Sequence, residues 1–272
     1  MCWVVGRIEE AVGYADAGQT VIFSGGEVPF GGEAALGTAY GVIGQPGRWV
    51  EWCRTRLARG RDTHGITRTY LVFALTLAGC GEEARAAATG LIDTAEATHN
   101  PYVLSLALYD HGFAFLDADP AGALEASRRG LVIARDSGNR YIETLLAANV
   151  SALEAERGDA LSALDHVTLV IRNFHDAGNT TGVRSGLAIL AVLFNRLGRL
   201  EPAATIAGVA FDPLTATFPQ LTTAITHLRD ALGDPAYESL ARKGETMTTT
   251  AMVTYAYDQI DQVRAELSAV SK

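Results

Sequence analysis

The chain has 272 residues, 48% of them hydrophobic, and a formal net charge of −9 from 31 acidic and 22 basic side chains. Only two of the basic residues are lysines, Lys243 and Lys272. The acidic balance argues against a direct nucleic-acid partner, because phosphate binding rests on clustered Lys and Arg. Cys2, Cys53 and Cys80 are too few for a disulfide framework and have no CxxC spacing for a structural zinc site.

The first residues, Met1-Cys2-Trp3-Val4-Val5, are too short for a signal-peptide core, and Arg7, Glu9 and Glu10 end the run. No apolar stretch approaches the ~20 residues that cross a bilayer; Tyr70 to Cys80 stops short. The expectation is a cytoplasmic protein with no membrane partner. Gly6-Arg7-Ile8-Glu9-Glu10-Ala11 reads as the joint into a second helix, so the chain begins at the tail of a first helix whose body is absent. Trp3, Val5, Ile8 and Val12 then form an apolar end. An upstream domain, a partner or self-association through this end would cover it. The other reading is a short start covered by its own side chains.

Between about residues 60 and 211 the chain repeats roughly every 40 residues. Asn100, Asn139 and Asn179 each open a helical run, the last two preceded by Gly138 and Gly178. Asp119 and Asp159 open a second run in each unit, and Gly158 and Gly198 stand one period apart. In the run after Asp159, Ala163, Leu164, Val167, Val170, Ile171 and Phe174 have the three-four spacing of one helix face. Forty residues earlier stand Ala123, Leu124, Ser127, Gly130, Leu131 and Ala134; forty later, Ala203, Ala204, Ala207, Ala210 and Phe211. An upstream copy at a period of 39 brings in Ala84, Ala88, Ile92 and Ala95. A two-helix period in this range predicts an all-α chain, an α-solenoid of antiparallel helix pairs with about six units over 1–211.

After Phe211 the punctuation changes, with Asp212-Pro213 and Phe218-Pro219. The spacing predicts a helix over 220–232, a shorter one after Gly233-Asp234-Pro235 closed by 243–246, and a last helix over 248–269. Met252, Val253, Ala256, Ile260, Val263, Leu267 and Val270 form one narrow stripe on that last helix. A capping helix folded onto the last repeats fits this stripe better than a coiled-coil seam, which needs more heptads. Residues 212–272 are therefore read as a C-terminal helical cap.

The Gly-Arg-Leu/Ile-Glu joints (Gly6-Arg7-Ile8-Glu9 and Gly198-Arg199-Leu200-Glu201) resemble tetratricopeptide-type repeats of a longer, degenerate kind. The stretch Asp234-Pro235-Ala236-Tyr237-Glu238-Ser239-Leu240-Ala241-Arg242-Lys243-Gly244-Glu245-Thr246-Met247-Thr248, with Tyr255-Ala256 after it, is similar to the end of the helical-repeat region in large bacterial transcriptional regulators. Those regulators join a cyclase-like or other module, an AAA-type ATPase, the repeats and sometimes a LuxR-type DNA-binding domain. The resemblance implies a repeat domain that senses a signal or binds a partner, without the ATPase engine or the DNA reader.

Catalytic patterns are missing. Ser24-Gly25-Gly26 and Phe30-Gly31-Gly32 lack the lysine of a phosphate loop. His64, His99, His111, His166, His175 and His227 show no metal-ligand pair, and Asp110-His111 are successive helical residues that point about 100° apart. Ser-x-Gly patterns lack a strand-turn-helix setting. No enzyme activity, cofactor or metal is expected.

The expected function is a non-catalytic protein-interaction or signal-sensing domain, part or remnant of such a regulator; the alternative is a free-standing scaffold. The expected partner is a protein or peptide, or else a small-molecule effector. In tetratricopeptide-like solenoids the first helices line the groove. Aligning these helices on their opening Asn puts Asp110, Asn149 and Ile189 in one slot and Tyr102, Tyr141 and Thr181 in another. The candidate groove residues are Tyr102, Asp110, Arg140, Tyr141 and Asn149. The competing reading for the polar pair Asp110 and Asn149 is a hydrogen bond across packed helices.

Overall fold

The computed structural model describes residues 7–23, 32–60, 62 and 65–270, with fifteen α-helices and no strand among them. In chain order these are α1 (Ile8–Phe23), α2 (Gly32–Val42), α3 (Pro46–Ala58), α4 (Ile66–Leu77), α5 (Gly81–Ala88), α6 (Leu91–Glu96), α7 (Pro101–Ala114), α8 (Pro120–Asp136), α9 (Arg140–Arg157), α10 (Ala160–Asp176), α11 (Thr180–Arg196), α12 (Leu200–Ala210), α13 (Pro219–Leu232), α14 (Asp234–Glu245) and α15 (Thr249–Val270). Trp3, Val5 and the two glycine pairs at 25–26 and 31–32 belong to the sequence reading above; of these only Gly32 lies within the described residues.

The helix boundaries from α7 to α12 follow from local chemistry. At the N-termini of α7 to α11 a side-chain oxygen accepts from a backbone N–H that has no partner inside the helix. Asn100 Oδ1 takes the N–H of Tyr102 at 3.0 Å, Asp119 that of Gly122 at 3.0 Å, Asn139 that of Ile142 at 3.2 Å, Asp159 that of Ser162 at 3.1 Å and Asn179 that of Gly182 at 2.8 Å. The C-termini of α8, α9, α10 and α11 close on a left-handed residue, at Gly138 (φ 74°), Gly158 (φ 85°), Gly178 (φ 65°) and Gly198 (φ 72°). The next N–H then reaches back to the last turn: Asn139 to the Ala134 carbonyl, Asn179 to Phe174 and Arg199 to Phe194. A side chain with a Cβ resists that φ, which is why glycine recurs at this step.

The chain divides into two compact units, residues 1–149 and 150–272, with the division inside α9. In the first unit α1, α2, α3 and α4 pack in succession, and α7 packs on α4, α5, α6 and α8. A polar tie joins the first three helices: Asp16 accepts from the Tyr40 hydroxyl at 3.0 Å and from Arg48 at 2.6 Å, and the Arg48 guanidinium lies 4.1 Å from the Tyr40 ring centre. The expected second-helix run over Ala84 to Ala95 is not one helix. Thr89 and Gly90 (φ 70°) break it into α5 and α6: Ala84, Ala88 and Ala95 of the expected face are buried, but Leu91 takes the buried place expected of Ile92, which is half-buried.

In the second unit α10 packs on α11, α11 on α12, and α15 on all three. Ala163, Leu164, Val167, Val170 and Ile171 have no exposed surface; each larger one among them contributes about 1.5–3 kcal/mol by leaving water. Phe211, expected in the equivalent stripe of α12, is instead 50% exposed, because that helix stops at Ala210 and the Asp212-Pro213 turn begins. Met252, Val253, Ala256, Ile260 and Val263 of α15 are buried. Arg264 fixes the register of α15 on α10, donating to Asp165 Oδ1 at 2.7 Å, Thr168 Oγ1 at 3.1 Å and the Leu164 carbonyl at 3.4 Å. The backbones of α12 and α14 approach closely at two glycines. A Cβ on Gly208 would overlap the Ala241 carbonyl, and one on Gly244 would overlap the Thr205 carbonyl.

Candidate functional site

The site lies in the first unit and is built on α7. Asn100 starts the helix, so Tyr102 is its second residue. Seven positions are close to two helical turns, which brings Tyr102 and Tyr109 onto one face with Phe113 a turn further on. That face meets α4 and α3 through rings. Phe73 lies 5.9 Å from Tyr109 and 5.5 Å from Phe113, Trp49 lies 5.5 Å from Phe73 and 6.1 Å from Tyr70, and Tyr109 stacks on Phe113 at 6.0 Å. These separations are those of attractive aromatic pairs.

Asp110 follows Tyr109 and turns about 100° away from it along α7. It is 1% exposed, and neither carboxylate oxygen has a hydrogen-bond partner. Its surroundings are phenolic. Asp110, when ionised, acts on Tyr70 of α4, on Tyr109 and on Tyr141 of α9; Tyr102 acts on Tyr70 and Tyr141. Tyr70 and Tyr102 also share a hydrogen bond that favours the protonated Tyr70 hydroxyl. Burial holds the Asp110 carboxyl protonated well above the usual carboxylate range, since the charged form is the costly one in a desolvated place. Burial first, then Tyr102 and after it Asp110, lifts the phenol of Tyr70; burial, then Asp110, lifts that of Tyr109; Tyr141 is pushed up to about 12 by burial, then by Tyr102 and Asp110. Tyr141 nonetheless exposes 48% of its surface. One part of it faces solvent while its hydroxyl is crowded by protein.

Of the five sequence-selected residues, Tyr102, Asp110 and Tyr141 come together. Asn149 is 4% exposed and is engaged, its Nδ2 donating to the Tyr109 carbonyl at 3.1 Å. This is the cross-helix hydrogen bond of the competing reading, fulfilled for Asn149 and not for Asp110. Arg140 is exposed at the first position of α9, one residue before Tyr141. In the two aligned slots, Thr181 is buried and Ile189 half-buried. Tyr70 and Tyr109 were not selected, although they are 39 residues apart, as Tyr102 and Tyr141 are. That shared interval was the signal for them.

Next to this site His111 stacks on Phe115 at 4.5 Å with its Nδ1 unpartnered, and its pKa is lowered by burial. It points away from the tyrosines by the same helical geometry that separates it from Asp110, so the two form no catalytic dyad. Ser127 Oγ is buried and unpartnered beside Gly112, where a Cβ would collide with it. Among the described residues no group of three or more His, Cys, Asp or Glu side chains is placed to hold a metal ion, and no helix is long and apolar enough to cross a membrane. No family model matches the chain, and no curated protein matches it.

Proposed function

We propose that this chain is a non-catalytic binding module, a tetratricopeptide-like α-solenoid of antiparallel helix pairs with α15 as its cap, which recognises a protein or peptide partner or a small-molecule effector. The observation that carries the reading is the recurrence of one joint at a fixed interval. Gly138-Asn139, Gly158-Asp159, Gly178-Asn179 and Gly198-Arg199 repeat, every 20 residues, the same left-handed glycine and the same backbone bond into the preceding helix. Repeats of this kind hold a row of first helices in register, and a row of helices recognises ligands over an extended surface. The resemblance of residues 234–248 and of the Gly-Arg-Leu/Ile-Glu joints supports placing the module in an ATPase-type transcriptional regulator, as its signal-sensing part.

Two measurements test this reading. Small-angle scattering of the purified chain is expected to give an elongated profile, and a compact spherical one overturns the solenoid. Assays for ATP hydrolysis and for binding to duplex DNA are expected to stay at background. Turnover that survives stringent purification and disappears in a point variant of this chain overturns the non-catalytic assignment.

A further inference from the structure

The binding reading leaves the ligand's chemistry open, and Asp110 narrows it. A carboxyl that is 1% exposed and has no hydrogen bond on either oxygen is unusual, because buried polar groups are normally satisfied. The phenols that Asp110 acts on are those of Tyr70 from α4, Tyr109 beside it on α7 and Tyr141 from α9. Burial is what acts on Asp110, with no cation among its causes. Behind the tyrosines stand the rings of Trp49, Phe73 and Phe113. A buried carboxyl among aromatic rings supplies both things a desolvated cation needs: an opposite charge and π faces.

We propose that Asp110, with Tyr70, Tyr109 and Tyr141 around it, is the anionic centre of a recognition site for a ligand cation, an ammonium or guanidinium group. The inference rests on the binding-module reading and names the class of ligand. Asp110 is shielded in the unliganded state, and Tyr141 is the member of the ring with a solvent-facing part, so entry proceeds by displacement of its side chain. The incoming cation replaces the carboxyl proton: Asp110 releases H⁺ to solvent and the carboxylate pairs with the ligand. Below the pH at which the free site ionises, affinity therefore rises with pH by about tenfold per unit. Two sources offer this chemistry, a Lys or Arg side chain of a peptide and a free amine effector.

The experiment uses the full chain. Titration calorimetry with tetramethylammonium, n-butylammonium and ethylguanidinium covers the free cations, and an array of short random peptides covers the side-chain source. Each is run with the unmodified chain and with Asp110→Asn. Tetramethylammonium carries no titratable proton, so any pH dependence of its binding belongs to the protein. Binding of at least one cation, strengthening as pH rises by about tenfold per unit wherever the free carboxyl is still protonated and weakened about tenfold or more by Asp110→Asn, is the expected result. Circular dichroism checks that the variant folds, and the pH series on the unmodified chain needs no variant. Free cations that bind without any peptide doing so assign an amine effector; peptides enriched in Lys or Arg and sensitive to Asp110→Asn assign a peptide. Peptides that bind without that enrichment and equally to both proteins overturn the cation site and leave the binding module standing. If none of the three cations and no peptide binds, the cation site is overturned as well.

Discussion

Asn149 and Tyr109 stand 40 positions apart and are joined by a hydrogen bond, the Asn149 Nδ2 donating to the Tyr109 carbonyl at 3.1 Å. The interval is close to the sequence period, so the bond links corresponding stretches of α7 and α9. It also fixes the stretch of α7 that carries Asp110. Replacing Asn149 by Ala is expected to destabilise the chain by about 1–2 kcal/mol, the net worth of a buried hydrogen bond together with the lost packing. Asn149→Asp is expected to cost more, since it removes the donor and buries a second carboxyl beside the first. Urea unfolding of the three proteins checks the order.

The raised Asp110 carboxyl makes stability depend on pH in a definite direction. In the unfolded chain the group ionises near pH ~3.9; in the folded chain it stays protonated well above that. Below the unfolded value both states hold the proton and the group contributes no pH dependence. Above it the unfolded chain alone has lost the proton, so folding must take one up and stability falls as pH rises, by about 1.4 kcal/mol per unit until the folded carboxyl ionises. Asp110→Asn does not titrate. Its advantage over the unmodified chain is expected to be small at about pH 3.5 and to widen steadily from pH 4 upward, read from urea midpoints at each pH. A constant difference across that range contradicts the assignment.

Two glycines in helices separate crowding from backbone entropy. At Gly130 on α8 a Cβ would lie 2.8 Å from Leu146 Cδ2 and 3.0 Å from Leu108 Cβ, in a buried position. Gly130→Ala is expected to cost about 1–3 kcal/mol through overpacking. At Gly13 on α1 a Cβ would meet nothing within 4 Å, and the position is exposed. Gly13→Ala is expected to stabilise by about 0.5–1 kcal/mol, because alanine loses less backbone freedom in a helix. Thermal melts of the two variants should move in opposite directions.

Removing α15 tests what it covers. A chain ending at Thr248 lacks Met252, Val253, Ile260 and Val263, each buried and each worth about 1.5–3 kcal/mol. The second unit is expected to lose cooperative unfolding and to bind a hydrophobic dye. Arg264→Ala removes only the ties to Asp165, Thr168 and Leu164. Its partner Asp165 is largely exposed, so a cost of about 1 kcal/mol or less is expected.

The helix joints were legible in the sequence because capping is local chemistry. An Asn or Asp that accepts from the first turn, and a glycine that closes the turn before it, can be read without knowing the rest of the fold. The break at Gly90 was not legible, since a lone glycine in an alanine-rich run also occurs within helices. Phe211 misled for the opposite reason: its place in the period was right, but Pro213 two residues on ends the helical register before it. The candidate site was half visible. Tyr102, Asp110 and Tyr141 fall in slots that the repeat aligns, whereas Tyr70 and Tyr109 read as ordinary apolar-face residues until the neighbouring carboxyl gives them a role. Asn149 and Asp110 share a slot and looked alike; only the packing of α7 against α9 shows that one finds a carbonyl and the other does not.

The regular joints bear on how such a chain changes length over generations. Asp159 caps a helix directly after Gly158 (φ 85°), and Gly198 (φ 72°) ends the helix pair that Asp159 begins. A tandem duplication of residues 159–198 would set Gly198 before a new Asp159, a left-handed glycine before a capping carboxylate, just as Gly158 does now. Insertion or loss of that forty-residue block thus preserves the turn at its junction, so the chain can lengthen by whole helix pairs without a new joint having to be invented.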